Sequence, residues 1–276
     1  MTQVAIVTGA AGGIGSAVAR LLGRTRFLLL TDVNAARLEA LLATLSDEGY
    51  MAEGMPGDLA EPAVAEELAE RCQRAGSLRA IVNTAGLSPA QADWQAIVRA
   101  NSIGPLRLLD ALEPLLCPGS ACVMVASVAG HLGFADAAAD VLLADALLPG
   151  LLEGLESRLK RLVAVHGGTM TGHAYSLTKR GILLLCERRA LDWGTKGARI
   201  VSLSPGVVWT PMGRLEAASG DRAQALVDAT PAGRWGTAME IATTAEFLLS
   251  DAAGYITGSD VRVDGGAVAA MRGASF

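Results

Sequence analysis

Aromatic residues are scarce in this 276-residue chain, at 4% of the total, and no apolar run reaches the length needed to cross a bilayer. A membrane-spanning helix is therefore not expected. The 23 lysines and arginines are outnumbered by 28 aspartates and glutamates and nowhere cluster, so the chain carries no electrostatic footprint for nucleic acid or an anionic membrane surface. The three histidines, His131, His166 and His173, stand outside any H-E-x-x-H spacing, and Cys72, Cys117, Cys122 and Cys186 show no metal or redox spacing. No metal site is expected, and the thiols read as buried and free in a reducing compartment rather than as disulfides. The apolar run at the N-terminus lacks a basic segment and soon reaches glycine, unlike a signal peptide, which predicts a cytoplasmic protein. With about half its residues apolar, the chain suits one large α/β domain over residues 1–276 that acts on a small molecule.

Glycine, by contrast, is abundant and purposefully placed. From Val4 to Gly15 an apolar strand pattern feeds through glycines into a helical pattern that begins near Ile14. Gly9, Gly13 and Gly15 let the backbone turn sharply and come close to a ligand, while the free N–H groups of a helix start favour an anion such as a pyrophosphate. An ordinary tight strand-to-helix turn has the same look, so the residues C-terminal to it decide the reading. Phe27 to Asp32 is the next strand, and Asp32 closes it where a carboxylate accepts hydrogen bonds from both hydroxyls of an adenosine ribose and repels a 2′-phosphate. That favours NAD over NADP. Asn34 to Leu45 reads as a helix, Tyr50 to Pro56 as a short strand, and Gly57-Asp58-Leu59 as a turn into a helix over Pro62 to Arg74. Asp58 suits either the adenine amino group or a helix cap.

Leu78 to Asn83 is a fourth strand, ended by the small residues Asn83-Thr84-Ala85-Gly86, as expected where a cofactor crosses the strand ends. Asp93 to Leu116 reads as one long helix with a local kink at Gly104 and Pro105, and an unpaired carbonyl near Asn101 could hold a water. Ala121 to Ser127 is a fifth strand with Ser127 at its carboxyl end. Residues 131 to about 168 then interrupt the alternation with two helical patterns hinged near Pro149-Gly150; in the second, Leu148, Leu151, Leu152, Leu155, Leu159 and Leu162 recur on one face. The following helix carries Tyr175 and Lys179 four residues apart, on one face and about 6 Å apart along the axis. Arg199 to Ser204 is a sixth strand ended by Pro205-Gly206, and Thr210 to Asp228 a variable loop expected to be mobile. Met239 to Leu249 is a last helix and Ser259 to Asp264 a seventh strand, with Gly265-Gly266 leading to a short apolar tail. The alternation predicts a doubly wound Rossmann fold with a seven-stranded parallel sheet and a helical insertion before the Tyr175–Lys179 helix.

Tyrosine is a poor base near neutrality, so a catalytic tyrosine needs a cation close by, and Lys179 is placed to lower its pKa by favouring the phenolate. Ser127 would hydrogen-bond a substrate oxygen and Asn101 would fix a water that passes protons onward. Taken singly, each has an ordinary reading: an exposed helix pair, a cap, a buried polar residue. Taken together, Asn101, Ser127, Tyr175 and Lys179 resemble the catalytic tetrad of the short-chain dehydrogenase/reductase family. Thr8-Gly9-x-x-x-Gly13-x-Gly15 and Asn83-Thr-Ala-Gly86 resemble its cofactor motifs, in the family's order and across nearly the whole chain. The 48 residues between Ser127 and Tyr175 exceed the family's usual spacing and mark the insertion. With Ser127-Val-Ala-Gly and Asp264-Gly-Gly, the insertion is similar to bacterial 3α-hydroxysteroid dehydrogenase/carbonyl reductases. The resemblance implies NAD bound along Gly9, Gly13, Ile14, Gly15, Asp32, Asp58, Leu59, Asn83, Ala85, Gly86, Tyr175, Lys179, Pro205, Gly206, Val208 and Thr210. It implies interconversion of a secondary alcohol and a ketone on an apolar, steroid-like substrate by a homo-oligomer, with a dimer favoured over a tetramer. Reduction of a 3-oxoacyl thioester, or NAD(H) sensing without turnover, are the alternatives.

Overall fold

The computed structural model describes residues 2–220 and 222–273. Seven strands, β1 (Gln3–Thr8), β2 (Phe27–Asp32), β3 (Ala52–Pro56), β4 (Ser77–Asn83), β5 (Ala121–Val125), β6 (Arg199–Pro205) and β7 (Asp260–Val263), make one parallel sheet in the order 3-2-1-4-5-6-7. In chain order the helices are α1 (Gly13–Leu22), α2 (Ala35–Asp47), α3 (Pro62–Ala75), α4 (Trp94–Val98), α5 (Gly104–Leu112), α6 (Ala129–Leu132), α7 (Ala137–Ala144), α8 (Leu151–His166), α9 (Met170–Thr195), α10 (Pro211–Ala218), α11 (Arg222–Ala229), α12 (Ala238–Leu249) and α13 (Ala267–Gly273). Parallel strands covered on both faces must be apolar on both, and the run Val4–Val7 is wholly buried. Its side chains alternate between two cores. Val4 and Ile6 join a core with α3, α5, α8 and α9, while Ala5 and Val7 join one with α1, α2 and α12. Because β2 and β3 build outward on one side of β1 and β4 on the other, the strand order reverses there and opens a crevice at the carboxyl ends. This is the doubly wound Rossmann architecture.

Four local expectations are corrected. The single helix over 93–116 is instead α4, a π-helical turn over Arg99–Ile103, α5 and a 3-10 turn over Glu113–Leu115. Pro105 has no N–H for the Asn101 carbonyl four residues earlier, so the distortion falls one turn before the proline and takes in an extra residue. Ser127 lies two residues beyond β5 rather than inside it. The stretch from Thr210 is no loop: Thr210 caps α10, its hydroxyl accepting from Gly213 N at 3.1 Å, Pro211 opens the helix, and α11 follows. These two helices bury little beyond Gly213 and Val227, which is why no periodic apolar signal announced them; Asp221 lies outside the described residues. The apolar tail after Gly265-Gly266 forms α13, with 274–276 outside the described residues.

The insertion packs back on its own chain. Leu151, Leu155, Leu159 and Leu162 of α8 are buried in the core shared with α9, each contributing roughly 1.5–3 kcal/mol. Leu152 is half-buried and Leu148 is 60% exposed, so the apolar face starts after the hinge, where Gly150 takes a φ of +83°. Asp136 caps α7 by accepting from Ala138 N and Ala139 N, and the Arg158 guanidinium of α8 grips the same carboxylate at 2.7–3.1 Å. All four cysteines are free. Among the described residues no helix is long and apolar enough to cross a membrane, and no group of three or more potential metal ligands occurs.

Candidate active site

The glycine turn is shaped first by backbone crowding. Gly9 leaves β1 with a φ of +61°, and a Cβ there would stand 2.7 Å from Ala85 N; one on Gly15 would stand 2.3 Å from the Gly9 carbonyl. On Gly13 it would strike Thr210 Cγ2 at 2.8 Å. The turn, the end of β4 and the start of α10 thus approach as closely as bare backbone permits, and the first turn of α1 opens on a cavity of about 870 Å³. Every site residue named from the sequence lines this cavity except Asn83 and Asn101.

Asn83 lies beneath it. Its Oδ1 accepts from Thr8 Oγ1 at 2.6 Å, a fully buried link that ties β1 to β4 under the crevice. At the far end Asp32 accepts from Ala11 N at 3.0 Å through Oδ2 and from Asn34 N at 2.9 Å through Oδ1. Both oxygens are fixed and each keeps a lone pair for a ligand hydroxyl. Arg37 lines the same end. Asp58 takes the cap role, Oδ1 accepting from Ala60 N at 2.9 Å, while still facing the cavity. Helix-start N–H groups at one point and a fixed carboxylate at another suit the pyrophosphate and ribose of a dinucleotide, so these residues fit a nicotinamide cofactor.

At the other end Tyr175 and Lys179 project from α9, and Lys179 Nζ lies 5.9 Å from the Tyr175 ring centroid. The ammonium donates to the Val125 carbonyl at 3.0 Å, at the very end of β5. Gly86 lies beside it, where a Cβ would crowd Asn101 Oδ1 at 3.0 Å. Asn101 stands behind this wall on the π-helical turn. Its Oδ1 accepts from Leu87 N at 2.8 Å and its Nδ2 donates to Leu87 O at 3.0 Å, a paired amide that fixes the strand extension after Gly86. Nδ2 also reaches Thr178 Oγ1 at 3.4 Å, beside Lys179. Ser127 Oγ accepts from Ala129 N at 3.1 Å, and the helix it opens, α6, is anchored to the sheet by His131 Nε2, 2.8 Å from Asp260 Oδ2 and 3.2 Å from Ser204 Oγ.

The electrostatics differ from the expectation that Lys179 would draw the Tyr175 pKa down. Burial, and after it the Glu216 carboxylate, pushes the phenol up to about 12 against the opposing effect of the neighbouring Ser127 hydroxyl. Lys179 is buried as well, which brings it to about 8 against the support of Glu216. Desolvation is the largest cause in both groups, outweighing the Ser127 hydroxyl at Tyr175 and the Glu216 carboxylate at Lys179. Glu216 is the residue that sequence reasoning missed. It sits on α10, half-buried, and faces the cavity; its one signal was the Thr210-Pro211 pair, a cap followed by a first-turn proline.

Residues 3–139 match the family profile described as short chain dehydrogenase, and residues 158–268 the one described as enoyl-(acyl carrier protein) reductase. A short-chain dehydrogenase/reductase of Alternaria brassicicola is 31% identical over 98% of this chain and 97% of its own length. D-threitol dehydrogenase of Mycolicibacterium smegmatis is 32% identical over 96% and 92%, and 3-alpha-hydroxysteroid dehydrogenase/carbonyl reductase of Comamonas testosteroni 31% over 99% and 100%. The crystal structure of levodione reductase superposes with a TM-score of 0.77 at 25% identity, covering 97% of this chain and 98% of that one. Identity above 30% sustained end to end, on the same fold, makes this chain a member of the short-chain dehydrogenase/reductase family, oxidoreductases of alcohols and ketones that use a nicotinamide cofactor.

Proposed function

We propose that the protein, built as a single dinucleotide-binding domain, is an NAD-dependent enzyme that interconverts a secondary alcohol and a ketone on a substrate with an apolar, steroid-like body. The observation that carries this reading is that Ser127, Tyr175 and Lys179 line one continuous cavity with the glycine turn and Asp32. Leu132, Phe134, Met212, Leu215 and Leu226 supply an apolar wall at the reactive end. The relatives' names span a sugar alcohol and a steroid, so the cavity wall is the better guide to the substrate.

NADH, when bound, supplies the hydride. The Ser127 hydroxyl donates to the substrate oxygen, and Tyr175 gives that oxygen its proton in reduction or takes it back in oxidation. A phenol held near 12 keeps its proton at neutral pH and is set as the donor; the Lys179 ammonium offsets the charge left on the phenolate. Asn101 holds the strand extension that bounds the reacting carbon's side of the cavity. Asp32 supports NAD because a 2′-phosphate would face a carboxylate already fixed by two backbone donors. The same residue weighs against a 3-oxoacyl-thioester reductase of the NADP-using kind, and a sensor without turnover would need no proton donor in the cavity.

A panel of secondary alcohols assayed with NAD by the appearance of NADH tests the reading, which fails if none turns over with either nucleotide. A homodimer in a reducing, cytoplasmic setting completes the proposal. Solution mass by light scattering checks the dimer, for the inserted helices occupy part of α9 within the chain and leave less of that helix for a partner.

A further inference from the structure

The cavity holds a carboxylate for which proton and hydride transfer have no use. Glu216, on α10, lines the same cavity as Ser127, Tyr175 and Lys179 and stands near enough to Tyr175 and Lys179 for its charge to act on both. Among the described side chains it makes no ion pair within 4 Å and no hydrogen bond of good geometry, although burial already holds its pKa above the ordinary carboxylate range. A half-buried carboxylate that lines the cavity keeps acceptor lone pairs for a hydrogen bond from a ligand. Nearby, Ser88 Oγ is fully buried and also without a partner inside hydrogen-bond geometry. It lies near enough to pull the Glu216 pKa down, which makes it a polar neighbour at long range rather than a formed partner. Ser88 N is held by Gln91 Oε1 at 3.0 Å, and Gln91 lines the same cavity.

We infer that Glu216 is a specificity residue that accepts a hydrogen bond from a hydroxyl group carried by the substrate beside its reacting carbon. The inference rests on the alcohol/ketone reading and narrows it to hydroxyketones and diols with an apolar body. A neutral donor fits better than an ammonium. Lys179 already places one positive charge against the negative charge of Glu216, so an added cation would meet repulsion from Lys179 as well as attraction from the carboxylate. A hydroxyl loses no charge solvation on entering and still makes a bond to an ionised acceptor, the stronger kind.

The test compares kcat/KM for cyclohexane-1,2-diol and cyclohexanol with NAD, and for 2-hydroxycyclohexanone and cyclohexanone with NADH, in the wild type, Glu216→Gln and Glu216→Leu. The within-variant ratio is the readout, so changes common to both substrates cancel. The wild type is expected to favour the hydroxylated member by roughly tenfold or more, mainly through KM. Glu216→Leu should bring the ratio near unity, and Glu216→Gln, which keeps an acceptor oxygen, should fall between. An equal loss on both members of each pair overturns the inference and leaves Glu216 as a group that tunes Tyr175, visible as a displaced pH profile. A wild-type ratio near unity that no variant changes also overturns it, with the alcohol/ketone reading intact. Turnover of neither substrate class by the wild type removes both. Binding of 2-hydroxycyclohexanone followed by tryptophan fluorescence in the Tyr175→Phe background repeats the comparison without turnover, weaker binding in the added Glu216→Leu being the supporting result and equal binding the opposing one.

Discussion

Arg180 Nε of α9 donates to both carboxylate oxygens of Asp140 on α7, at 3.1 and 3.0 Å, and so joins the inserted helices to α9 at the residue next to Lys179. The pair is partly buried, with the aspartate the better covered. Asp140→Ala is expected to lower the unfolding free energy by about 1 kcal/mol, less at high salt, and to reduce turnover by loosening α9. Urea unfolding at two ionic strengths checks the first part. An unchanged midpoint at low salt would show that the pair contributes nothing.

Tyr175→Phe removes the proposed proton donor and leaves the glycine turn and Asp32 untouched. Turnover is expected to drop by about 10²- to 10⁴-fold while the affinity for NADH changes little. Stopped-flow kinetics and a fluorescence titration of NADH measure the two effects, and near-normal turnover in the variant would withdraw the assignment.

Lys179 ties stability to pH. Its folded-state value of about 8 lies below the ordinary 10.5, so between those limits the unfolded chain binds the extra proton and stability rises with pH. Below pH 8 the folded protein carries the full cost of a buried ammonium, roughly 3 kcal/mol by this difference. Lys179→Met relieves that cost but strands the Val125 carbonyl, which takes back about 1 kcal/mol. The variant should therefore be inactive yet more stable than the wild type at pH 7, with the gain shrinking toward pH 10. Thermal melts across that range decide the matter: a variant less stable at pH 7 contradicts the buried-charge account. In the wild type, ketone reduction should decline as the pH rises past about 8 and Lys179 loses its proton.

Asp32→Ala should reduce kcat/KM with NAD by at least about tenfold through KM, since one to two charge-assisted hydrogen bonds to the ribose are lost. The loss with NADP should be smaller, because the repulsion of its phosphate goes with the carboxylate and Arg37 remains at that end. Preference of the wild type for NADP would show that Asp32 does not face the ribose.

How much of the fold and the site is legible in the chain varies with burial. β1, β2, β4, β5 and β6 lie covered on both faces and so read as continuous apolar runs, whose ends fall within a residue or two of the expected places. Tyr175 and Lys179 are visible as a pair at helical spacing, and Asp32 as the last residue of a strand. The direction of the Tyr175 shift is not visible, because sequence spacing brings Lys179 near without telling how thoroughly both groups lose water. Nor is Glu216, whose helix is largely exposed and therefore lacks a periodic face. Pro105 signals the distortion around Asn101, but whether a helix bends or widens there depends on what packs beside it, and here the amide of Asn101 is drawn toward Leu87.

The hydrogen bond between Thr8 and Asn83 has a consequence for the birth of the protein. Its two residues are 75 positions apart. At about 5–20 residues added per second, β1 leaves the ribosome some 4–15 s before β4 can pair with it. During that interval one long apolar edge of the central strand is open to any neighbouring chain. Early pairing with β2 can close only the other edge. Yield in the cell should thus depend on dilution of nascent chains and on holdase chaperones more steeply than the stability of the finished fold would suggest.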